Sequence, residues 1–358
     1  MVRYLAAVVV VGGCAPTPIS VRELPPESRP DPALLVPPDV DEASGETSVP
    51  PEILLGIAMA ETRLQMITGE VEFEGQSPAF GIMGLRSPML ELGAELAGFD
   101  VQQVKTDRRA NVLAAAHLLA GAADEAGIDP SDLDAWAPVV ARYSGIEDEE
   151  GQAEYVHHQV YEALRQGIAV EGYAVAPMTV NPNFPLPLTD LDRATESGTI
   201  WTPSPNYNSR SGASVDFVII HTCEGSYSSC WSWLSNSASG VSAHYVVKEN
   251  GAEVRALVDE NNRAWHISAN YDCDNNSGVD CWRDGTSMNT VSVGIEHAGY
   301  GSQSSWDPGL LSRSAELTCG ITERHDIPRD SYHVVGHGQL QPWNRTDPGP
   351  NWPWADYL

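Results

Sequence analysis

The chain has 358 residues, enough for two domains with their own cores and linkers between them. Its 49 acidic side chains outweigh 20 basic ones for a formal charge of -29. Such a surface repels phosphates and excludes nucleic acid as a partner.

Residues 1–14 carry one basic residue, Arg3, a short apolar run and small residues before Cys14. The run is too short to span a bilayer and reads as the core of a signal segment. Its Val-Gly-Gly-Cys ending resembles a bacterial lipoprotein signal, in which Cys14 is lipidated and anchors the chain to a membrane. An ordinary signal peptide with an incidental Cys is the other reading. Residues 15–49, rich in Pro, Glu, Asp and Ser, predict an extended, disordered tether.

Over 50–170 the pattern turns helical. Pro50 and Pro51 suit a helix start, and Ile53, Leu54, Ile57, Ala58 and Leu64 form an apolar stripe. Further helices are predicted over 111–123, 132–143 and 152–165, so an all-α domain is expected. Within it Ile57-Ala-Met-Ala-Glu61-Thr62, then Ala-Phe-Gly-Ile-Met-Gly-Leu at 79–85, then Ala-Arg-Tyr-Ser-Gly at 141–145 resemble the ordered motifs of lysozyme-like lytic transglycosylases. The resemblance implies that Glu61 protonates a glycosidic oxygen and later acts as base. Such an acid needs apolar surroundings, which Ile57, Met59 and Leu64 offer. Thr62, Gly84 and Ser144 depart from the usual Ser, Gln and Asn, and leave open a degenerate domain that only binds glycan.

Residues 171–203 lose periodicity and gain prolines, as a linker does, with room for a short strand at 173–178. The remaining 204–358 read as an α/β domain. A buried strand is expected over 215–221, a β-hairpin over 243–248 and 253–258 across Glu-Asn-Gly, a strand over 291–296 and an amphipathic helix over 308–324.

The stretch 332–350 places His333 and His337 ahead of Asp347, which precedes a proline. A catalytic zinc site takes three N or O ligands and keeps one open position, and His221 at a strand end supplies the third. His221, Ser-Ala-His-Tyr at 242–245, Arg-Ala-Trp-His at 263–266, Val-Gly-Ile-Glu at 293–296, Gly-His at 336–337 and Arg-Thr-Asp-Pro-Gly at 345–349 follow one another in order. Together they resemble the zinc-dependent N-acetylmuramoyl-L-alanine amidases, the family that includes peptidoglycan recognition proteins and phage lysozyme-like amidases. The resemblance implies a mixed sheet with flanking helices and Zn²⁺ over one face. It selects His221, His337 and Asp347 as metal ligands, with His337 ahead of His333. Asp347 departs from the recognition proteins that use Cys there. Glu296 falls at the position of the catalytic base, and Arg345 at that of a cation serving the developing oxyanion, where many relatives have Lys. His244, Trp265 and His266 match positions near the substrate groove. The residues alone leave Glu296 open as an exposed ion-pair partner, Arg345 as a loop anchor, and His244, Trp265 and His266 as packed core.

Cysteine usage agrees with export to the cell envelope. Cys223 with Cys230 and Cys273 with Cys281 are spaced for short-loop disulfides, and the first resembles one beside the metal site of recognition proteins. Cys319 is left over and reads as a buried free thiol on a helix. The expectation is an exported, lipid-anchored peptidoglycan hydrolase cleaving the amide between N-acetylmuramic acid and L-alanine. The alternatives are a peptidoglycan-binding protein without turnover and a bifunctional enzyme in which Glu61 also cleaves glycan.

Overall fold

The computed structural model describes residues 35–73, 75–170, 172–187 and 199–358. The expected signal segment with Cys14 and most of the expected tether lie outside the described residues. Among the described residues, no helix is long and apolar enough to cross a membrane.

The first unit is built on α1 (Pro38–Thr47), α2 (Pro51–Thr62), a short pair β1 (Ile67–Thr68) and β2 (Phe80–Gly81), α3 (Met89–Ala97), α4 (Val101–Thr106) and α5 (Arg108–Ala126). It continues through α6 (Ala137–Tyr143), α7 (Glu149–Glu154), a π-helical turn at Tyr155–Val160, α8 (Tyr161–Gln166), and β3 (Ile168–Val170) paired with β4 (Tyr173–Val175). Helix α5 is central. Asp107 caps its start by accepting the Ala110 N–H at 2.8 Å, and Gly127 ends it in a left-handed turn. Between these caps Val112, Leu113, Ala116 and Leu119 are buried among α1, α3, α4 and α6.

Three expectations are corrected. Residues 38–47 form a helix where a disordered tether was expected. Val40 and Ala43 are buried, Asp39 meets Arg108 at 2.9 Å, and Glu42 pairs with Arg109. The acidic run finds its basic partners far along the chain, which composition does not reveal. The helical unit is not purely α, since β1–β2 and β3–β4 interrupt it. The expected linker 171–203 holds β4 at one end and a sheet strand, β5 (Ile200–Trp201), at the other.

After β5 come β6 (Tyr207–Ser209), β7 (Phe217–Thr222), α9 (Tyr227–Ser235), β8 (Tyr245–Val247), β9 (Val254–Ala256) and β10 (Asn262–Ala264). The chain then runs through α10 (Met288–Val291), β11 (Ser292–His297), α11 (Pro308–His325), β12 (Val334–Gly336), α12 (His337–Leu340) and α13 (Trp354–Tyr357). The main sheet has the order β12-β7-β11-β8-β9-β5, antiparallel only between β8 and β9. Every residue of β7 and β11 is buried. Val218, Ile220, Val293 and Ile295 pack with Leu310 and Ile321 of α11, while Phe217 and Ile219 pack on the opposite face with Met288, Val335 and Leu340. Parallel strands covered on both faces must be apolar throughout, which is why 217–220 reads as an unbroken hydrophobic run. Each such side chain contributes about 1.5–3 kcal/mol relative to exposure.

Disulfides join Cys223 to Cys230 and Cys273 to Cys281. Cys319 is corrected: it is half-buried on α11 and held in a disulfide, so it is not a free thiol. The two units dock through α9 against α7 and the π-helical turn. Glu154 Oε2 lies 2.7 Å from Arg255 Nη2 and accepts the Trp231 indole N–H at 3.0 Å, and Gln159 donates to Glu249 at 2.6 Å.

Candidate metal centre

Strand register assembles the centre. His221 on β7 lies opposite Glu296 on β11, so both point to the same face at the carboxyl ends of parallel strands. On the other side of β7, Gly336 of β12 pairs with Ile220, which sets the next residue, His337, beside His221. Asp347 returns from the loop after α12 and is 4% exposed.

His221 Nδ1 and His337 Nδ1 face each other at 3.0 Å. Asp347 Oδ2 stands 3.5 Å from the first and Asp347 Oδ1 3.3 Å from the second. A further carboxylate joins them from the helical unit: Glu72 Oε1 lies 3.5 Å from His221 Nδ1 and 3.2 Å from His337 Nδ1. All four side chains are buried. Ligand arms of about 2.0 Å at tetrahedral angles put neighbouring donor atoms about 3.3 Å apart, and these distances bracket that value. Among the described residues, neither Asp347 oxygen has a hydrogen-bond donor. Burial opposes charge at His337, while the Asp347 and Glu72 carboxylates favour positive charge at this point. Two imidazoles presenting lone pairs to each other among buried carboxylates call for a cation between them, and the N and O donor set fits Zn²⁺.

Behind the donors a relay sets the tautomers. His221 Nε2 meets His266 Nδ1 at 3.0 Å, His266 Nε2 meets Ser292 Oγ at 3.1 Å, and the Ser292 hydroxyl donates to Met288 O at 2.6 Å. Read as donors in that order, the chain leaves His221 Nδ1 free to ligate. Burial, then the adjacent imidazoles, holds His266 well below its ordinary pKa and so neutral, as the relay requires. On the other ligand, His337 Nε2 lies 3.3 Å from Gln341 Oε1 and donates to it. Gly294 makes room for the relay, because a Cβ there would fall 2.5 Å from the His266 ring.

Glu296 Oε1 lies 4.0 Å from His221 Nδ1, and its Oε2 is buried without a hydrogen-bond partner among the described residues. Burial, reinforced by Glu72 and Asp347 and opposed by His221, raises its carboxyl to about 8. Arg345 reaches the same mouth, its Nε 3.3 Å from Glu72 Oε2 and its Nη2 donating to the Glu72 carbonyl at 2.9 Å.

The structure separates the remaining histidines. His333 stays out of the cluster, bonded to Asp330 at 2.7 Å and stacked on Phe217. His244 is corrected from groove to core: it is fully buried, accepts the Gly294 N–H at 3.0 Å and is lowered to about 3 by burial and by Arg210. His266 likewise sits behind His221 and does not line a groove. Trp265 remains half-buried, its indole donating to Asn208 at 3.1 Å. Sequence reasoning missed Glu72 and the relay. For the relay Gly294 was the available signal; Glu72, in a loop far from the other donors, offered none.

Glu61 lies elsewhere, facing a cavity of about 340 Å³ between the helical unit and α9 that Arg86, Tyr143, Ser144 and Trp233 also line. The Tyr155 hydroxyl donates to Glu61 Oε1 at 2.6 Å, from the π-helical turn. Burial outweighs that bond and raises the Glu61 carboxyl to about 7.

The family profile described as N-acetylmuramoyl-L-alanine amidase matches residues 211–350. N-acetylmuramoyl-L-alanine amidase A of Achromobacter lyticus is 32% identical over 179 residues, covering 44% of this chain and 90% of that protein. The amidase AmiD of Escherichia coli (strain K12) is 29% identical over 154 residues, 39% of this chain and 51% of AmiD. Among solved structures, a selenomethionine AmpD derivative superposes with a TM-score of 0.38 at 22% identity, over 47% of this chain and 96% of that one.

Proposed function

This chain belongs to the N-acetylmuramoyl-L-alanine amidase family, and from that premise we propose that it hydrolyses the amide joining N-acetylmuramic acid to L-alanine in peptidoglycan. The observation that carries the reading is the buried His221, His337 and Asp347 constellation with Glu296 in strand register beside it. These three residues would hold Zn²⁺, which when bound supplies a Lewis acid that acidifies a water and polarises the scissile carbonyl.

The protein's own groups do the rest. Glu296, buried beside His221 with one oxygen unpartnered among the described residues, takes the proton of the attacking water and returns it to the departing nitrogen. Arg345 offers a fixed cation where negative charge develops on the carbonyl oxygen. His266 and Gln341 hold the two imidazoles in the ligating tautomer. Two disulfides support an exported protein working in an oxidising compartment.

Digestion of purified sacculi followed by mass spectrometry tests the reading. Free stem peptides beginning at L-alanine, lost with chelator and restored by Zn²⁺, are expected. Sedimentation with sacculi but no peptide release at any metal loading, from wild type and from Glu72→Ala alike, would leave a binding protein. A second reading, glycan cleavage by Glu61 in a lysozyme-like helical unit, is supported by its raised pKa and its cavity. Anhydro-muramic products in the same digest, absent from Glu61→Gln, are its signature.

A further inference from the structure

A loop leaves the helical unit at Gly69, enters the metal centre at Glu72 and is back in the helical unit at Ala79. Its neck is closed by the β1–β2 pair, Ile67 opposite Gly81 and Thr68 opposite Phe80. A Cβ at Gly69 would fall 1.9 Å from Ala79 O, so the two ends of the loop touch. A loop with joined ends is a compact unit that can be displaced without unfolding the helices that carry it.

Arg86 of the helical unit donates to the Ser77 carbonyl, and further bonds run to the amidase unit. Thr68 N–H donates to Ser302 Oγ at 3.2 Å and Glu70 N–H to Glu224 Oε2 at 3.2 Å, while the Thr346 hydroxyl bonds the Glu70 carboxylate. Phe73 is 5% exposed and packs with Cys223, Tyr227, Trp231 and Leu234; among the described residues it is the only member of that cluster from outside the amidase unit. Between these anchors Glu72 is 7% exposed, with one carboxylate oxygen against both imidazoles and the other against Arg345.

Catalytic zinc sites keep one of four positions open, and structural sites close all four with protein. His221, His337 and Asp347 make three. Glu72 Oε1, 3.2 Å from one imidazole nitrogen and 3.5 Å from the other, stands where the attacking water must enter. The Arg345 side chain, which faces the developing oxyanion in the reading above, is occupied by the same residue. A polar side chain this deeply buried in a foreign unit, with one oxygen facing two imidazole nitrogens and the other 3.3 Å from Arg345 Nε, is not a passing surface contact.

We propose that Glu72 is a fourth protein ligand to the metal, and that the chain as folded is a latent amidase in which the segment carrying Glu72 must withdraw before peptidoglycan is cleaved. The inference rests on the zinc reading of the site. Once Glu72 leaves, one coordination position and Arg345 are released together, so a single movement of the loop both opens the metal and frees the cation.

The test uses the full chain loaded with Co²⁺ or Zn²⁺, wild type and Glu72→Ala. The visible spectrum of the Co²⁺ protein is followed while acetohydroxamate, which needs an open position, is added. Wild type is expected to leave the spectrum unchanged where Glu72→Ala shifts, to surrender its metal to chelator more slowly by a factor on the order of ten or more, and to cleave a soluble muramoyl-peptide more slowly than the variant. A wild-type spectrum that responds to acetohydroxamate at the concentrations that shift Glu72→Ala overturns the proposal. If that variant does not fold, an immediate hydroxamate response in wild type alone overturns it, and a silent wild type that responds once Phe73→Ala loosens the loop supports it. Failure of the underlying reading looks different. If neither protein takes up an equivalent of metal, the zinc site itself falls and the proposal with it. If Glu72→Ala opens to hydroxamate yet cleaves no muramoyl-peptide, the amidase reading falls while Glu72 stands as a ligand.

Discussion

Replacing Glu61 by glutamine removes one ionisation from the helical unit and keeps the shape. The carboxyl is raised from 4.5 to about 7, chiefly by burial. Between those values the native state binds a proton that the unfolded chain has released, so this group's contribution to stability falls as pH rises through that window. A shift of about 2.5 units corresponds to about 3 kcal/mol at most, less whatever water in the cavity screens. Glutamine carries no such dependence. The stability difference between Glu61→Gln and wild type should therefore swing toward the variant by up to about 3 kcal/mol from pH 4.5 to pH 8, then level off. Paired urea titrations followed by tryptophan fluorescence measure it, because the other buried carboxylates, Glu154, Glu224 and Glu296, are common to both proteins and cancel. Parallel profiles across the range would mean that Glu61 is an ordinary solvated carboxylate, and would remove the physical basis for its acid role.

Glu296→Gln should keep its metal and lose turnover of muramoyl-peptide by about 10²–10⁴-fold, the usual worth of a positioned base; metal analysis beside steady-state kinetics checks both, and unimpaired turnover refutes the assignment. His266→Ala should weaken Zn²⁺ binding by about 10–100-fold, as loss of a residue that orients a ligand does. Chelator competition reads this directly, and an unchanged affinity would place His266 among packing residues.

The amidase unit was largely legible in the sequence because His221 and His337 sit at or just past the ends of strands whose character is local. The run before His221 is apolar because both faces of β7 are covered, and the strand expected at 291–296 and helix at 308–324 appear as β11 and α11 within a residue or two. The choice of His337 over His333 came from motif order; the structure gives its reason, since β12 ends at Gly336 beside Ile220 and the following residue falls next to His221. His244 and His266 were legible as residues of the region but not by role, because burial behind a ligand and exposure on a groove leave the same letters in the chain. Helix α1 was missed because its acidic residues find compensation only at Arg108 and Arg109.

What the sequence by itself offered is the set of groups proposed to hold a cation and move a proton: His221, His337 and Glu296 at or just past strand ends, and Asp347 on the loop after α12. What only the tertiary structure decided is how those groups are completed and blocked. The His221–His266–Ser292 relay, the Glu61–Tyr155 bond and the entry of Glu72 into the metal centre all join segments far apart in the chain. Periodicity and local motifs report what a residue's neighbours in sequence require of it. Contacts between units depend on how whole surfaces dock, and no short-range pattern records that.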